Sequence, residues 1–281
     1  MESSKRNIYI IAAISFLLLA VAIYFLFIFQ KKPKQLKAQE SSGEVEELSQ
    51  IDLTMRPYVT LTPTSDGAEI IISIETMADF DRIEYELTYL ADNPTETGQK
   101  IQRGATGTDI NTKDQKYKKS ILLGTASRGV RSPDKGITDG KLTMHLFKGE
   151  TEFQSETFWD LVKIGTRTST LEDRAGNIKI EAGVFNKEYW VILADTIGLP
   201  ASFTFDSKKV QLPVIGVFSV APEFTTNSEV SIKVTSSDDP QIYAYSHTES
   251  KWQKLDSTFN SSLKSVSAEI KSFATFAAVS Q

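Results

Sequence analysis

The sequence predicts an all-β protein: two β-sandwich domains carried on a single N-terminal transmembrane helix. Three observations predict it. From Ile8 to Phe29 the chain runs without one charged residue. Further along, segments such as Arg82-Ile83-Glu84-Tyr85-Glu86-Leu87 alternate apolar and polar residues with the period of a strand. After Met55, short β-rich runs are separated by turn residues at the spacing of sandwiches. The expected organisation is a short tail (1–7), a transmembrane signal anchor (8–29), a polar linker (30–54) and two sandwiches (55–163 and 164–281). Two domains follow from length, since single cores rarely grow far beyond about 150 residues.

The anchor comes first. At ~1.5 Å per residue, a helix over Ile8 to Phe29 spans about 33 Å, enough for a ~30 Å hydrocarbon core. It is apolar on every face, unlike a globular surface helix. Lys5 and Arg6 with Ala20-Val21-Ala22 also have the form of a cleavable signal. Seven more apolar residues, Ile23 to Phe29, follow that site, which favours an uncleaved anchor. Lys31, Lys32, Lys34 and Lys37 outnumber the two basic residues before the helix, so the positive-inside count favours a cytoplasmic C-terminus. Long domains translocate largely regardless of charge, and the β content suits an envelope protein; on that ground the C-terminal domains are expected outside the cytoplasm.

Next comes the linker, KKPKQLKAQESSGEVEELSQID, which passes from basic to acidic with few large apolar residues and reads as a solvated tether. In the first β region, strands are predicted at Tyr58 to Leu61, Glu69 to Glu75, Arg82 to Tyr89, Lys118 to Gly124, Lys141 to Phe147 and Glu152 to Phe158. Asp66-Gly67, Asn93-Pro94, Ser132-Pro133 and Asp139-Gly140 supply turns. Alternation puts Ile83, Tyr85, Leu87, Leu142, Met144 and Leu146 inward and His145 outward. Residues 104–120 and 127–140 are polar and read as long loops. The order of opening strand, acidic-Gly turn, long second strand and charged third strand resembles immunoglobulin and fibronectin type III modules.

The second β region contains, in order, GNIKIEAGVF, EYWVIL, GVFSVAPEFTTNSEVSIKV, QIYAYSHTESKWQKLDS and SVSAEIKSFATFAAV. The relevant residues are Gly176, Gly183, Pro222, Val230, Ile232, Val234, Tyr243, Trp252, Phe273 and Phe276. Their arrangement resembles the ZU-type β-sandwich of ankyrins, netrin receptors and bacterial surface proteins. Independently of that resemblance, Val230, Ile232 and Val234 alternate with Ser231, Lys233 and Thr235, giving one buried face. QIYAYSHTESKWQKL reads as a hairpin with Tyr243 and Tyr245 inward and His247 at the wet end of its strand. Trp190 and Trp252 are expected to anchor cores.

Composition excludes much chemistry. The chain has no cysteine, hence no disulfide, thiolate metal site or cysteine nucleophile. A net charge of -5 gives no electrostatic case for nucleic acid. Its two histidines, His145 and His247, fall in different expected domains, where neither a triad nor a two-histidine metal site is readily built. Some proteins of the resembling family cut themselves at a His-Phe-Ser site; here the aligned residues are Ser272, Phe273 and Ala274, so the resemblance implies no self-cleavage. The acidic pairs Glu84 with Glu86, Glu172-Asp173 and Asp238-Asp239 read as solvation and turn chemistry. A calcium site at Asp238 and Asp239 lacks the spaced loop such sites need.

No catalytic, cofactor-binding or metal-binding residue is therefore expected, and no cofactor. The expected role is that of a non-enzymatic, single-pass membrane protein of the cell envelope. Its partners would be the lipid bilayer, through Ile8 to Phe29, and a protein or cell-wall component met by the sandwiches. Two alternatives stand beside it. One is a membrane-tethered subunit of a secretion or pilus-like assembly, with Ala12, Ala13, Ser15, Ala20 and Ala22 as a helix-packing stripe. The other is an envelope hydrolase with carboxylates on loops of the first β domain.

Overall fold

The computed structural model describes residues 45–281 except 167–169, 184 and 204. The anchor Ile8 to Phe29, the tail before it and linker residues 30–44 lie outside the described residues. Among the described residues no helix is long and apolar enough to cross a membrane.

Among the described residues all regular structure is β apart from two single-turn 3-10 helices, Leu48–Gln50 and Ser207–Lys209. The strands in the first half are β1 (Val45–Glu47), β2 (Tyr58–Pro63), β3 (Glu69–Glu75), β4 (Arg82–Asp92), β5 (Lys100–Gly107), β6 (Lys116–Leu122), β7 (Gly124–Ser127), β8 (Val130–Pro133), β9 (Thr138–Lys148) and β10 (Thr151–Ile164). Those of the second half are β11 (Thr170–Glu172), β12 (Ile178–Glu181), β13 (Tyr189–Asp195), β14 (Val210–Ser219), β15 (Ser228–Lys233), β16 (Gln241–Ser246), β17 (Lys251–Lys254), β18 (Ser257–Asn260), β19 (Ser265–Ile270) and β20 (Thr275–Val279).

One large sheet runs through both halves in the order β17-β16-β20-β14-β13-β10-β9-β4-β5, with β1 added to β10. A three-stranded sheet (β2-β3-β6) and a five-stranded sheet (β11-β12-β15-β19-β18) complete the layers, and β7 with β8 forms a separate hairpin. The strand β10 joins the halves. Its first part pairs with β9, and from Trp159 to Ile164 it pairs with β13.

The side-chain alternation of the middle strands assigns two cores to opposite faces of this sheet. On β13, Ile192 and Ala194 belong to the core shared with the three-stranded sheet, whereas Val191 and Leu193 belong to the core shared with the five-stranded sheet. Trp159 on β10 and Phe218 on β14 point to the first core; Ile164, Ile215 and Val217 point to the second. A smaller cluster of Leu53, Leu199, Phe203, Val214, Tyr243, Ala277 and Val279 sits on the first face at the far end. Close packing shows at Gly140, where a Cβ would come within 2.3 Å of the Trp159 ring. It shows again at Gly67, whose φ of +69° suits only glycine well and whose open side receives the Trp190 ring.

Several expectations are corrected here. The division between residues 163 and 164 falls inside β10, because that strand is a ladder partner for both halves; the described residues form one compact unit. The linker does not extend to residue 54. Leu48 and Leu53 are buried in two of the hydrophobic clusters, and Val45–Glu47 pairs in parallel with Glu152–Gln154. The polar stretches read as loops carry β5, β6, β7 and β8, whose exposed faces account for their lack of apolar residues. The strands of RIEYELTY and KLTMHLF, by contrast, bury the faces expected of them.

Candidate functional site

The three-stranded sheet has two unlike faces. Val59, Leu61, Ile70, Ile72 and Ile74 turn into the first core. The opposite face carries Thr60, Thr62, Ile71, Ser73, Glu75, Lys116 and Lys118 and forms one side of a cleft of about 340 Å³. Tyr58, at the start of β2, shares that face; across the cleft stand Phe218 of β14, Val220 just past that strand's end, Tyr245 of β16, and His247 and Ser250 of the β16–β17 turn. Cross-strand register fixes the order of the first wall: Ser73 lies between Thr60 on β2 and Lys118 on β6, and Glu75 is opposite Lys116.

At one end of the cleft a hydrogen-bond chain ties the large sheet to β2. Thr275, fully buried on β20, lies 2.7 Å from the Tyr58 hydroxyl and 3.0 Å from His247 Nε2. Thr275 has one proton to give, and one polarity satisfies all three groups. Tyr58 donates to Thr275 Oγ1, and Thr275 donates to an unprotonated Nε2. The reverse order would leave the Tyr58 proton buried without an acceptor, since that residue is only 2% exposed. His247 is accordingly the neutral Nδ1–H tautomer. The Phe218 and Tyr245 rings beside it, with centroids at 5.2 and 6.0 Å, restrict hydration of its inner edge while its outer edge meets solvent. This desolvation, aided by the positive charge of Lys116, lowers its pKa to about 4. Burial likewise drives the Tyr58 phenol well above its ordinary range.

The charges in the cleft are not balanced. Lys116 Nζ pairs with Glu75 at 2.6 Å. Among the described residues Lys118 and Lys119 have no ion-pair partner. Next to Lys118 on the cleft face, the Ser73 hydroxyl is 6% exposed as a residue and has no hydrogen-bond partner, an arrangement that normally costs stability. The cleft can therefore offer cations at its lip, hydroxyls on its floor and an apolar shoulder at Val220, which is 48% exposed. Thr275 and His247 are bonded as a hydroxyl and its base would be, but Thr275 is fully buried and its oxygen is also held by Tyr58, so no substrate atom can reach it.

The other residues weighed from the sequence are dispersed. His145 lies on the uncovered face of the large sheet, its Nδ1 2.8 Å from Glu152 Oε1. His247 lies on the opposite side, just past the end of β16 and exposed overall, as expected; only the Nε2 edge of its ring turns into the cleft toward Thr275. Glu84 pairs with Arg82 on the uncovered face, and Glu86 is exposed there. Asp173 caps its own turn, its side chain accepting from the Ile178 amide at 2.9 Å. Asp238 accepts from Ser236 at 2.9 Å, and Asp239 adopts a φ of +39°, as turn residues do. Trp252 packs between Phe203 and Tyr245. Trp190 covers Gly67, and Phe273 and Ala274 are buried beside Phe224. The fully buried tryptophan is Trp159, which carried no special expectation.

The cleft residues Lys116, Lys118 and Ser73 also escaped notice as a site: Ser73 and Lys118 were placed on strands whose polar faces drew no attention, and Lys116 was read with the polar loop before it. A signal was present: Tyr117 and Ile121 share one parity and Lys116, Lys118 and Ser120 the other. Among the described residues no group of three or more histidine, aspartate or glutamate side chains is placed to hold a metal ion. Neither the family models nor the curated proteins contain a match to this chain.

Proposed function

We propose that the chain is a non-enzymatic, membrane-anchored protein of the cell envelope that works by holding a protein partner, and that the cleft beside β6 is the contact surface. The observation that carries this reading is the pairing, in one cleft, of a buried unpartnered hydroxyl, Ser73, with Lys118, which has no counter-charge among the described residues. The buried hydroxyl is unfavourable in isolation and is satisfied by a bound polar ligand, while the exposed Lys118 is free to pair with an acidic group of that ligand. The apolar run Ile8 to Phe29 supports the anchoring, and the wholly β character of the described residues suits a domain exported to the envelope. The resemblance of the second half to ZU-type sandwiches and of the first to immunoglobulin-like modules points the same way, toward contact rather than catalysis.

Site-specific photo-crosslinking in intact cells tests this. A crosslinker at Thr62, in the cleft, should give a discrete protein adduct that a crosslinker at Thr88, on the uncovered sheet face, does not. Equal labelling from both positions, or none from Thr62, would remove the cleft as the contact surface.

A further inference from the structure

The reading of the cleft as a contact surface leaves open what kind of segment it holds. Its geometry narrows that. In the sheet β2-β3-β6, the two edges differ: β2 packs against β13 and β14 of the large sheet, whereas among the described residues β6 pairs only with β3. Residues Lys116 to Ser120 of β6 are exposed or half-exposed, and with no strand paired on its outer side among the described residues that edge is left open. Such an edge accepts another strand unless something opposes it.

The side chains on this edge set the condition for pairing. Lys116 and Lys118 project onto the cleft face and Lys119 onto the other. Glu75 neutralises Lys116 alone. Lysines on an edge repel a second copy of the same edge, which blocks self-association. They also select a strand of opposite charge, because directly opposed unlike charges stabilise cross-strand pairs and like charges do the reverse. The Ser73 hydroxyl, buried and unpartnered one strand inward, adds a donor that an acceptor reaching over Lys118 would satisfy. The half-buried Thr60, Thr62 and Ile71 and the exposed Val220 give this face a partly apolar floor, suited to short or β-branched residues.

We infer that β6 is a strand-addition site for an extended acidic segment of a protein partner, with carboxylates at alternate positions meeting Lys116 and Lys118. This rests on the contact reading above and names the partner's chemistry. Main-chain pairing with β6 supplies affinity, and the two lysines supply specificity.

Peptide display tests it without knowledge of the partner. A random octapeptide library on phage is selected against the purified full-length chain in detergent, alongside Lys118→Glu and, as a remote control, Lys148→Glu. Lys118 and Lys148 are exposed, so both variants should fold. Selected peptides should carry Asp or Glu at alternate positions separated by β-branched residues. A selected peptide should bind Lys118→Glu at least tenfold more weakly and Lys148→Glu unchanged, and it should weaken with added salt. Enrichment without alternating acids, acidic enrichment that persists on Lys118→Glu, or no enrichment would overturn the proposal. So would equal competition by an anionic oligosaccharide, which has no backbone to pair. If display fails while Thr62 still crosslinks in cells, only the acidic-strand proposal falls; if Thr62 also fails, the contact reading falls with it.

Discussion

Strands β4 and β13 lie three places apart in one sheet, yet they inhabit different surroundings. On β4, buried Ile83, Tyr85, Leu87, Tyr89 and Ala91 alternate with half-buried or exposed Arg82, Glu84, Glu86, Thr88 and Leu90. On β13, Val191, Ile192, Leu193 and Ala194 are all buried in succession, two toward each core. The difference lies in the layers. Both faces of the sheet are covered at β13, whereas at β4 one face is covered and the other meets water. A run of consecutive apolar residues therefore marks the strands on which two sandwiches are fused, and alternation marks the strands that belong to one of them.

The sharpest way to break this comparison is to cut the shared strand's largest side chain. Trp159→Ala on β10 should cost about 3–5 kcal/mol, read from urea unfolding, since it empties a buried site packed on Gly140. Leu193→Ala on β13 should cost about 2–5 kcal/mol. If the cores are coupled, it should lower the unfolding midpoint of the first core as well, although its side chain lies in the second. By contrast, Glu86→Gln on the exposed side of β4 should change stability by no more than about 0.5 kcal/mol.

Smaller effects come from the titratable groups at the ends of the covered region. Burial pushes the Asp195 carboxyl up to about 6, with Asp173 adding to the shift. Between its unfolded value of 3.8 and about 6 the folded state keeps a proton that the unfolded chain releases, so stability falls as pH rises through that window. The effect should be on the order of 1–2 kcal/mol after allowance for partial solvent access. Asp195→Asn should remove it, checked by thermal melts at roughly pH 4.5 and 7. His247 acts with the opposite sign. Its folded pKa is depressed, so its contribution is lost as pH falls from 6.5 toward about 4, where its proton must reverse the Thr275 and Tyr58 chain. His247→Gln should flatten that acid limb in the same melts.

Much of this fold was legible in the sequence, for reasons that β4 and β13 illustrate. One-sided strands announce themselves by alternation, which is why the limits of β3 and the inward set on β4 and β9 could be read directly. The β16–β17 hairpin was also legible from its turn and aromatic spacing. The fusion was not read, although EYWVIL and FATFAAV carry its mark, because consecutive apolar residues fit any buried strand and do not say how many sheets bury it. Polar strands such as β5, β7 and β8 were hidden for the converse reason: with one or both faces in water they lack the apolar half of the pattern, and of β6 only the part from Lys118 was read as a strand. The cleft lay in that blind spot, being built from the polar face of β3 and β6 and from a histidine whose partner, Thr275, is 28 residues away.

The central claim is that one sheet unites two cores into a single cooperative unit. Hydrogen exchange followed by mass spectrometry across a urea series tests it most directly, comparing β3 in the first core with β19 in the second, in the native chain and in Leu193→Ala. The expected result is loss of protection in both strands at one common midpoint, shifted together by the substitution. Two separate midpoints, with Leu193→Ala moving only that of β19, would contradict it and restore a pair of independent domains.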